Sequence, residues 1–345
     1  MSGGLAQLVA IGAQDAHIVG NPEVSFFQSS YKRHTNFSQV VDRQLMQGNP
    51  GNNSMTTVRF ERKGDLLSHV YITANDGTSA QIPNWRSVID HIEFYIGGQL
   101  IDSQTSDFCL SASDLLASSY SKSYMASSFF SNKYFYPLRF FFCENWQSAL
   151  PLVALQYHDV EIRIYWGDIE GYSYDVMANY VYLDTMEREA LSKSSIEMLV
   201  TQVQKMVPSG TSATLDLTFN HPVKYLVSSD DVSDDALVSA SNKVKLQING
   251  VDVSVEKYAT PNFTYVPLFY NAPYASDFQT VSYNPIFVYP FCLDTSKLQP
   301  TGTLNFSRLD SARIVTDGII KNTVYAVNYN VLRIEKGMGG LRYSN

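Results

Sequence analysis

The sequence predicts an all-β fold built in two similar halves, and three observations predict it. Short runs alternate apolar and polar residues, Gly, Pro, Asn and Ser bound those runs, and a set of landmarks recurs after 149 to 156 residues. Alternation with period two marks a strand with one face in a core and one in water.

The run His91 to Ile96 puts Ile92, Phe94 and Ile96 on one face and His91, Glu93 and Tyr95 on the other. Gly97-Gly98 then supplies the positive φ angles of a tight hairpin. From Asp159 to Trp166 the inward set is Val160, Ile162, Ile164 and Trp166, and the outward set is Asp159, Glu161, Arg163 and Tyr165. Leu215, Leu217 and Phe219 form a third inward set, stopped by His221-Pro222. Two stretches read as helices on this β scaffold. Asp107 to Ser119 aligns Phe108, Ala112, Leu115 and Leu116, and Asp184-Thr185-Met186-Glu187 begins a short helix toward Leu191 with a capping-box-like signal.

The repeat has three landmarks. The hairpin opening at Val88 returns at Val244, 156 residues on, with Asn249-Gly250 in place of the two glycines. Tyr136-Pro137 and the following Leu138 to Phe142 match Ile286 to Phe291, with Pro137 set against Ile286 at a spacing of 149, and the strand pair near Ala149 returns near Pro300. Landmarks in one order at nearly one spacing describe tandem copies of a single β-fold. Val203 to Ser212, rich in Pro, Gly and small polar residues, reads as a linker, so the changeover is placed near residue 205.

A chain of 345 residues suits two domains. Its 45% hydrophobic and 13% aromatic content supplies two cores, while 17% charged residues lies below the roughly 25% usual for soluble domains and hints at surface covered by partners. A net charge of −8 argues against wrapping nucleic acid, which demands a basic face. Cys109, Cys143 and Cys292 are odd in number and lack CxxC spacing, so neither a disulfide framework nor a zinc site is expected. No run approaches the ~18 apolar residues of a membrane span, and no basic residue precedes the apolar stretch Leu5 to Ala13, so the chain reads as cytosolic when made.

Catalytic, cofactor-binding and metal-ligating residues are all expected to be absent. The histidines His17, His34, His69, His91, His158 and His221 form no His-x-His or His-Glu-x-x-His pattern. No nucleophile elbow or phosphate-cradling loop occurs, and Gly337-Met338-Gly339-Gly340 precedes no helix. Asp230, Asp231, Asp234 and Asp235 lack the ligand spacing of a calcium loop and read as a solvated acidic loop. Asn36, Asn52, Asn262 and Asn305 stand in glycan-acceptor patterns that a cytosolic route leaves unused, although glycosylation by another route stays open. Tyr120, Tyr124, Phe129, Phe130, Tyr134 and Phe135 are candidates for burial between subunits or over their own barrel. Leu5, Leu8 and Val9 are candidates for an apolar docking face.

Several runs in register resemble the major capsid proteins of nucleocytoplasmic large DNA viruses. They begin with Gly3-Gly4-Leu5-Ala6-Gln7-Leu8-Val9-Ala10, Gly12-Ala13-Gln14-Asp15, Gly20-Asn21-Pro22 and Tyr31-Lys32-Arg33-His34-Thr35-Asn36-Phe37. They continue through Ala149-Leu150-Pro151-Leu152, Tyr182-Leu183-Asp184-Thr185, Phe219-Asn220-His221-Pro222, Asn305-Phe306-Ser307-Arg308 and Tyr325 to Arg333. The resemblance implies a double jelly roll: two tandem eight-stranded jelly rolls with short helices in loops. The expected division is an amino-terminal arm over 1–22, a first jelly roll over 23–204 and a second over 205–345. It further implies a homotrimer of pseudo-hexagonal outline in an icosahedral shell, contacts with neighbouring capsomers, and minor capsid proteins at the inner face near the amino terminus. It places the protein in the virion, assembled in the host cytoplasm. The chain is short for the family, and the stretches from Val253 to Ile286 and from Phe142 to Ala149 leave little room for towers, so a smooth outer face is expected. A minor capsid paralogue, a carbohydrate-binding β-sandwich and a metal-dependent jelly-roll enzyme are the competing readings.

Overall fold

The computed structural model describes residues 3–112, 134–229, 231–272 and 285–343. It divides into two units, residues 1–36 and residues 37–345. The first unit carries the helices Gly3–Val9 and Ala16–Val19, and Leu5, Leu8 and Val9 are exposed on it.

The second unit contains two sets of eight principal strands. The first set is β1 (Phe37–Gln44), β2 (Met55–Arg59), β3 (Leu66–Asn75), β4 (Ile89–Ile96), β5 (Gln99–Thr105), β6 (Phe135–Pro137), β7 (Val160–Trp166) and β8 (Ser173–Leu183). The second is β9 (Ile196–Met206), β10 (Thr214–Asp216), β11 (Pro222–Ser228), β12 (Lys243–Ile248), β13 (Val251–Asp252), β14 (Val288–Pro290), β15 (Ala312–Thr316) and β16 (Val324–Glu335). In the first half the antiparallel sheets run β1-β8-β3-β6 and β2-β7-β4-β5. The second half repeats both orders, as β9-β16-β11-β14 and β10-β15-β12-β13.

Each strand thus has a counterpart: Phe37 and Ile196 open the first strands, 159 residues apart, and Ser173 and Val324 open the last, 151 apart. The pairing also corrects one landmark. Tyr71 lies across from Pro137 and Tyr225 across from Pro290, so Pro290 and not Ile286 is the counterpart of Pro137. Each stretch holds several aromatic residues and one proline, so the sequence alone leaves the register between them open.

Local chemistry explains the elements. Val160, Ile162, Ile164 and Trp166 are buried against Ile92, Phe94 and Ile96, and the Trp166 indole donates to the Thr56 hydroxyl at 2.9 Å. Gly97 and Gly98 adopt φ of 56° and 80°, and Asn249 and Gly250 adopt 49° and 79°, as two-residue hairpins of this hand demand. A side chain at Gly97 would also meet the His158 ring at 2.4 Å. Asp184 caps the helix Thr185–Lys193, accepting from the Thr185 amide at 2.8 Å. Of the helix expected from Asp107 to Ser119, Phe108–Ala112 forms a π turn, and Leu115 and Leu116 lie outside the described residues.

The stretch read as a linker from Val203 is a strand as far as Met206. β9 runs through the changeover expected at residue 205 and pairs along its whole length with β16. The strand was hidden because Gln202, polar on paper, is buried where its amide donates to the Ile101 carbonyl and accepts from Asn330.

Two apolar cores result. Leu215, Leu217, Val223, Leu226, Leu246, Ile314, Val324 and Ala326 fill the second sandwich. The other core fills the first sandwich and continues across to Tyr225, Val227, Tyr325 and Val327 of the second. Strands β11 and β16 are therefore covered on both faces.

Candidate assembly faces and the seam between the halves

The seam forms where the edge strand β5 meets the outer face of β9 and β16. Main chain and side chains lock it: the Val203 amide donates to Asp102 Oδ1 at 2.9 Å, and the hydroxyls of Thr105 and Tyr325 share a hydrogen bond of 2.9 Å. The Tyr325 ring packs on Phe108 at 5.4 Å between centroids. At the other end the Leu341 amide donates to Gln99 at 3.1 Å, and His158 Nδ1 lies 2.8 Å from the Gly339 carbonyl oxygen.

Asp102 is the electrostatic anomaly of this seam. Burial pushes its carboxyl up to about 7, against donors from Val203, Gln104 and Ser103 that favour the charged form. Arg139, also buried, is paired with Glu144 at 3.2 Å, while burial pulls the Lys224 ammonium below the usual lysine range. None of these polar groups was singled out from the sequence. A lysine inside the apolar run Val223 to Val227 was the available signal.

The registers give each seam position a counterpart in the first half. Tyr225, Val227, Tyr325 and Val327 correspond to Tyr71, Thr73, Asp175 and Met177. The first-half set is half-buried, and Asp175 pairs with Arg43. Val41, two residues before Arg43, lies on the same face and is exposed, as is Phe37 at its margin. The counterpart of β5 is β13, whose neighbourhood exposes Val251 (69%), Val253 (49%) and Val255 (77%). Among the described residues of 37–345, one sheet face is thus only partly covered and one strand edge is unpaired.

The other sequence candidates fall elsewhere. Tyr134 and Phe135 are exposed, whereas Tyr120, Tyr124, Phe129 and Phe130 lie outside the described residues. The acidic loop needs correction. Asp231 lies 3.7 Å from Arg86, Asp234 is exposed, and Asp230 is outside the described residues. Asp235, however, is fully buried and accepts backbone N–H bonds from Leu237, Lys321 and Asn322. Backbone donors carry no sequence signature, so a loop anchor looked like a solvated charge. His91 stacks on Tyr165 at 4.1 Å and bonds Asp90. No histidine, cysteine or carboxylate cluster suited to a metal occurs among the described residues, none of the three cysteines is in a disulfide, and no described helix is long and apolar enough to cross a membrane. Asn262 and Asn305 use their side-chain amides in local hydrogen bonds, and the Asn52 side chain accepts from the distant Ile169 amide.

Two eight-stranded sandwiches of identical sheet order in one chain define a double jelly roll, the architecture of viral shell proteins. The family described as "Major capsid protein N-terminus" matches residues 25–203. The chain is 35% identical to the major capsid protein of Pyramimonas orientalis virus and 29% identical to that of Paramecium bursaria Chlorella virus 1, each alignment spanning 100% of both chains. A chain of the PBCV-1 virus capsid superposes with a TM-score of 0.76 at 26% identity, over 93% of this chain and 100% of that one. The Faustovirus major capsid protein shares the fold, with a TM-score of 0.66 at 10% identity over 94% of each chain. The chain belongs to the major capsid protein family of large DNA viruses, a structural subunit of the capsid, located in the virion.

Proposed function

We propose that three copies of this chain close head-to-tail into a six-lobed capsomer that tiles an icosahedral shell. The observation that carries this is the mismatch between used and unused surfaces. Within one chain the edge β5 covers the outer face of β9 and β16, whereas among the described residues of 37–345 no strand covers the corresponding pair, the β13 edge and the outer face of β1 and β8. Setting the β13 edge of one copy on the β1 and β8 face of the next repeats the internal contact. A heterologous contact of this kind gives a ring when its rotation closes. Obligate interfaces bury on the order of 2,000 Å² or more with apolar centres, a demand that Val41, Val251, Val253 and Val255 help to meet.

The role is structural and non-catalytic, supported by the absence of any catalytic pattern in the sequence and by relatives that are capsid proteins. The first jelly roll ends with helix Thr185–Lys193, ahead of the expected boundary, since β9 belongs to the second set of sheets. The exposed Leu5, Leu8 and Val9 dock minor capsid proteins at the inner face, and the acidic chain makes no direct contact with the genome. Assembly takes place in the host cytoplasm, and short connections give the outer face a low profile.

Light scattering tests the assembly. Wild-type protein is expected at the mass of three chains, with hexagonal particles in negative stain, and Val41→Asp and Val253→Asp each at the mass of one chain with unchanged circular dichroism. Wild-type protein that stays at one chain at high concentration ends the proposal.

A further inference from the structure

The seam contains a cavity of about 90 Å³, walled by Arg139 and Glu144 from the first half and by Lys224, Lys297 and Tyr329 from the second. Lys224 is 5% exposed. Its ammonium donates to the Lys297 carbonyl oxygen at 3.0 Å and sits 5.6 Å from the centre of the Tyr329 ring, and no carboxylate among the described residues pairs with it. The one acid of the wall, Glu144, is taken by Arg139 at 3.2 Å. Tyr329 is 6% exposed, and its hydroxyl has no hydrogen-bond partner.

A buried ammonium with no ion pair among the described residues and a buried hydroxyl without a partner are both unfavourable. A water molecule satisfies the hydroxyl but leaves the charge uncompensated. Of the three cations in the wall, Arg139 is paired with Glu144 and Lys297 lies 4.0 Å from Asp294, which leaves Lys224 without an ion pair among the described residues. The volume exceeds the roughly 10–15 Å³ that admits a single water, which leaves room for a tetrahedral oxyanion.

We propose that this cavity is a binding site for a small inorganic oxyanion of the phosphate class. Lys224 supplies the neutralising charge and Tyr329 donates its hydroxyl to the anion.

Calorimetric titration of the intact protein with inorganic phosphate, and with sulfate, at constant ionic strength in chloride tests the site. Saturable binding of one anion per chain is expected, weakened about tenfold in Tyr329→Phe, which loses one hydrogen bond, and lost in Lys224→Met. The thermal midpoint should rise with phosphate in wild type and stay level in Lys224→Met. The absence of saturable heat in wild type overturns the site, as does equal binding by wild type and Tyr329→Phe should Lys224→Met fail to fold. Capsomer mass by light scattering is expected to be the same in wild type and Tyr329→Phe, so this result and the assembly result stand or fall separately.

Discussion

Strands β3 and β8 of the first half and β11 and β16 of the second hold the same places in their sandwiches, yet they carry different sequences. The outward positions of the first pair are Tyr71, Thr73, Asp175 and Met177, half-buried and mixed in character. The outward positions of the second are Tyr225, Val227, Tyr325 and Val327, all buried. The inward positions between them, Ile72 and Val176 in the first pair and Leu226 and Ala326 in the second, are apolar in both. Alternation along a strand is therefore a report on its surroundings: it survives where one face meets water or a partner and disappears where the chain covers both.

The comparison can be broken most forcefully at Tyr325. Its ring packs on Phe108 and its hydroxyl reaches Thr105, so Tyr325→Ala is expected to lower unfolding free energy by about 3–5 kcal/mol in urea denaturation. Asp175→Ala, at the matching place in the first half, gives up an ion pair with a largely exposed arginine and costs under about 1 kcal/mol. Equal losses at the two positions would erase the distinction.

Next in size is the pH response of the seam. Folding raises the Asp102 pKa to about 7, so the folded chain keeps a proton that the unfolded chain releases above about pH 4. This contribution is fully present below about pH 4 and is lost as pH rises through about 7, a decline of up to about 4 kcal/mol. Asp102→Asn, followed by denaturation from pH 4 to pH 8, should flatten that decline.

The smallest effects come from exchanging the paired residues themselves. Val227→Thr places a hydroxyl on the doubly covered face and is expected to cost about 1–2 kcal/mol. Thr73→Val changes the stability of a single chain by no more than about 0.5 kcal/mol, because that face is incompletely covered. If Thr73→Val strengthens capsomers against dilution while leaving monomer stability alone, the face is shown to be a contact between copies.

Much of this was legible in the residues. The hairpin at Gly97-Gly98 and the run from Val160 to Trp166 announced themselves, because each pairs a one-sided apolar pattern with a turn that few residues other than glycine and asparagine accept. The doubling of the fold showed in recurring hairpins. Strand β9 did not, because Gln202 owes its burial to a carbonyl on β5 from the other half. Asp235 was missed for the same reason, its three partners being main-chain amides far along the chain or hidden in its own loop.

Period-two patterning, turn residues and repetition determined the β class, the number of sandwiches and, through the likeness of whole motifs, the family. These are properties of neighbours in the chain, where steric preference and one-sided burial leave a local trace. Only the tertiary structure decided which face each sheet turns toward the other half, that Asp102 is buried against Val203, and that Lys224 and Tyr329 line one cavity. Those outcomes depend on contacts between residues as far apart as 242 positions, as with Gln99 and Leu341, and a linear sequence holds no record of such distances.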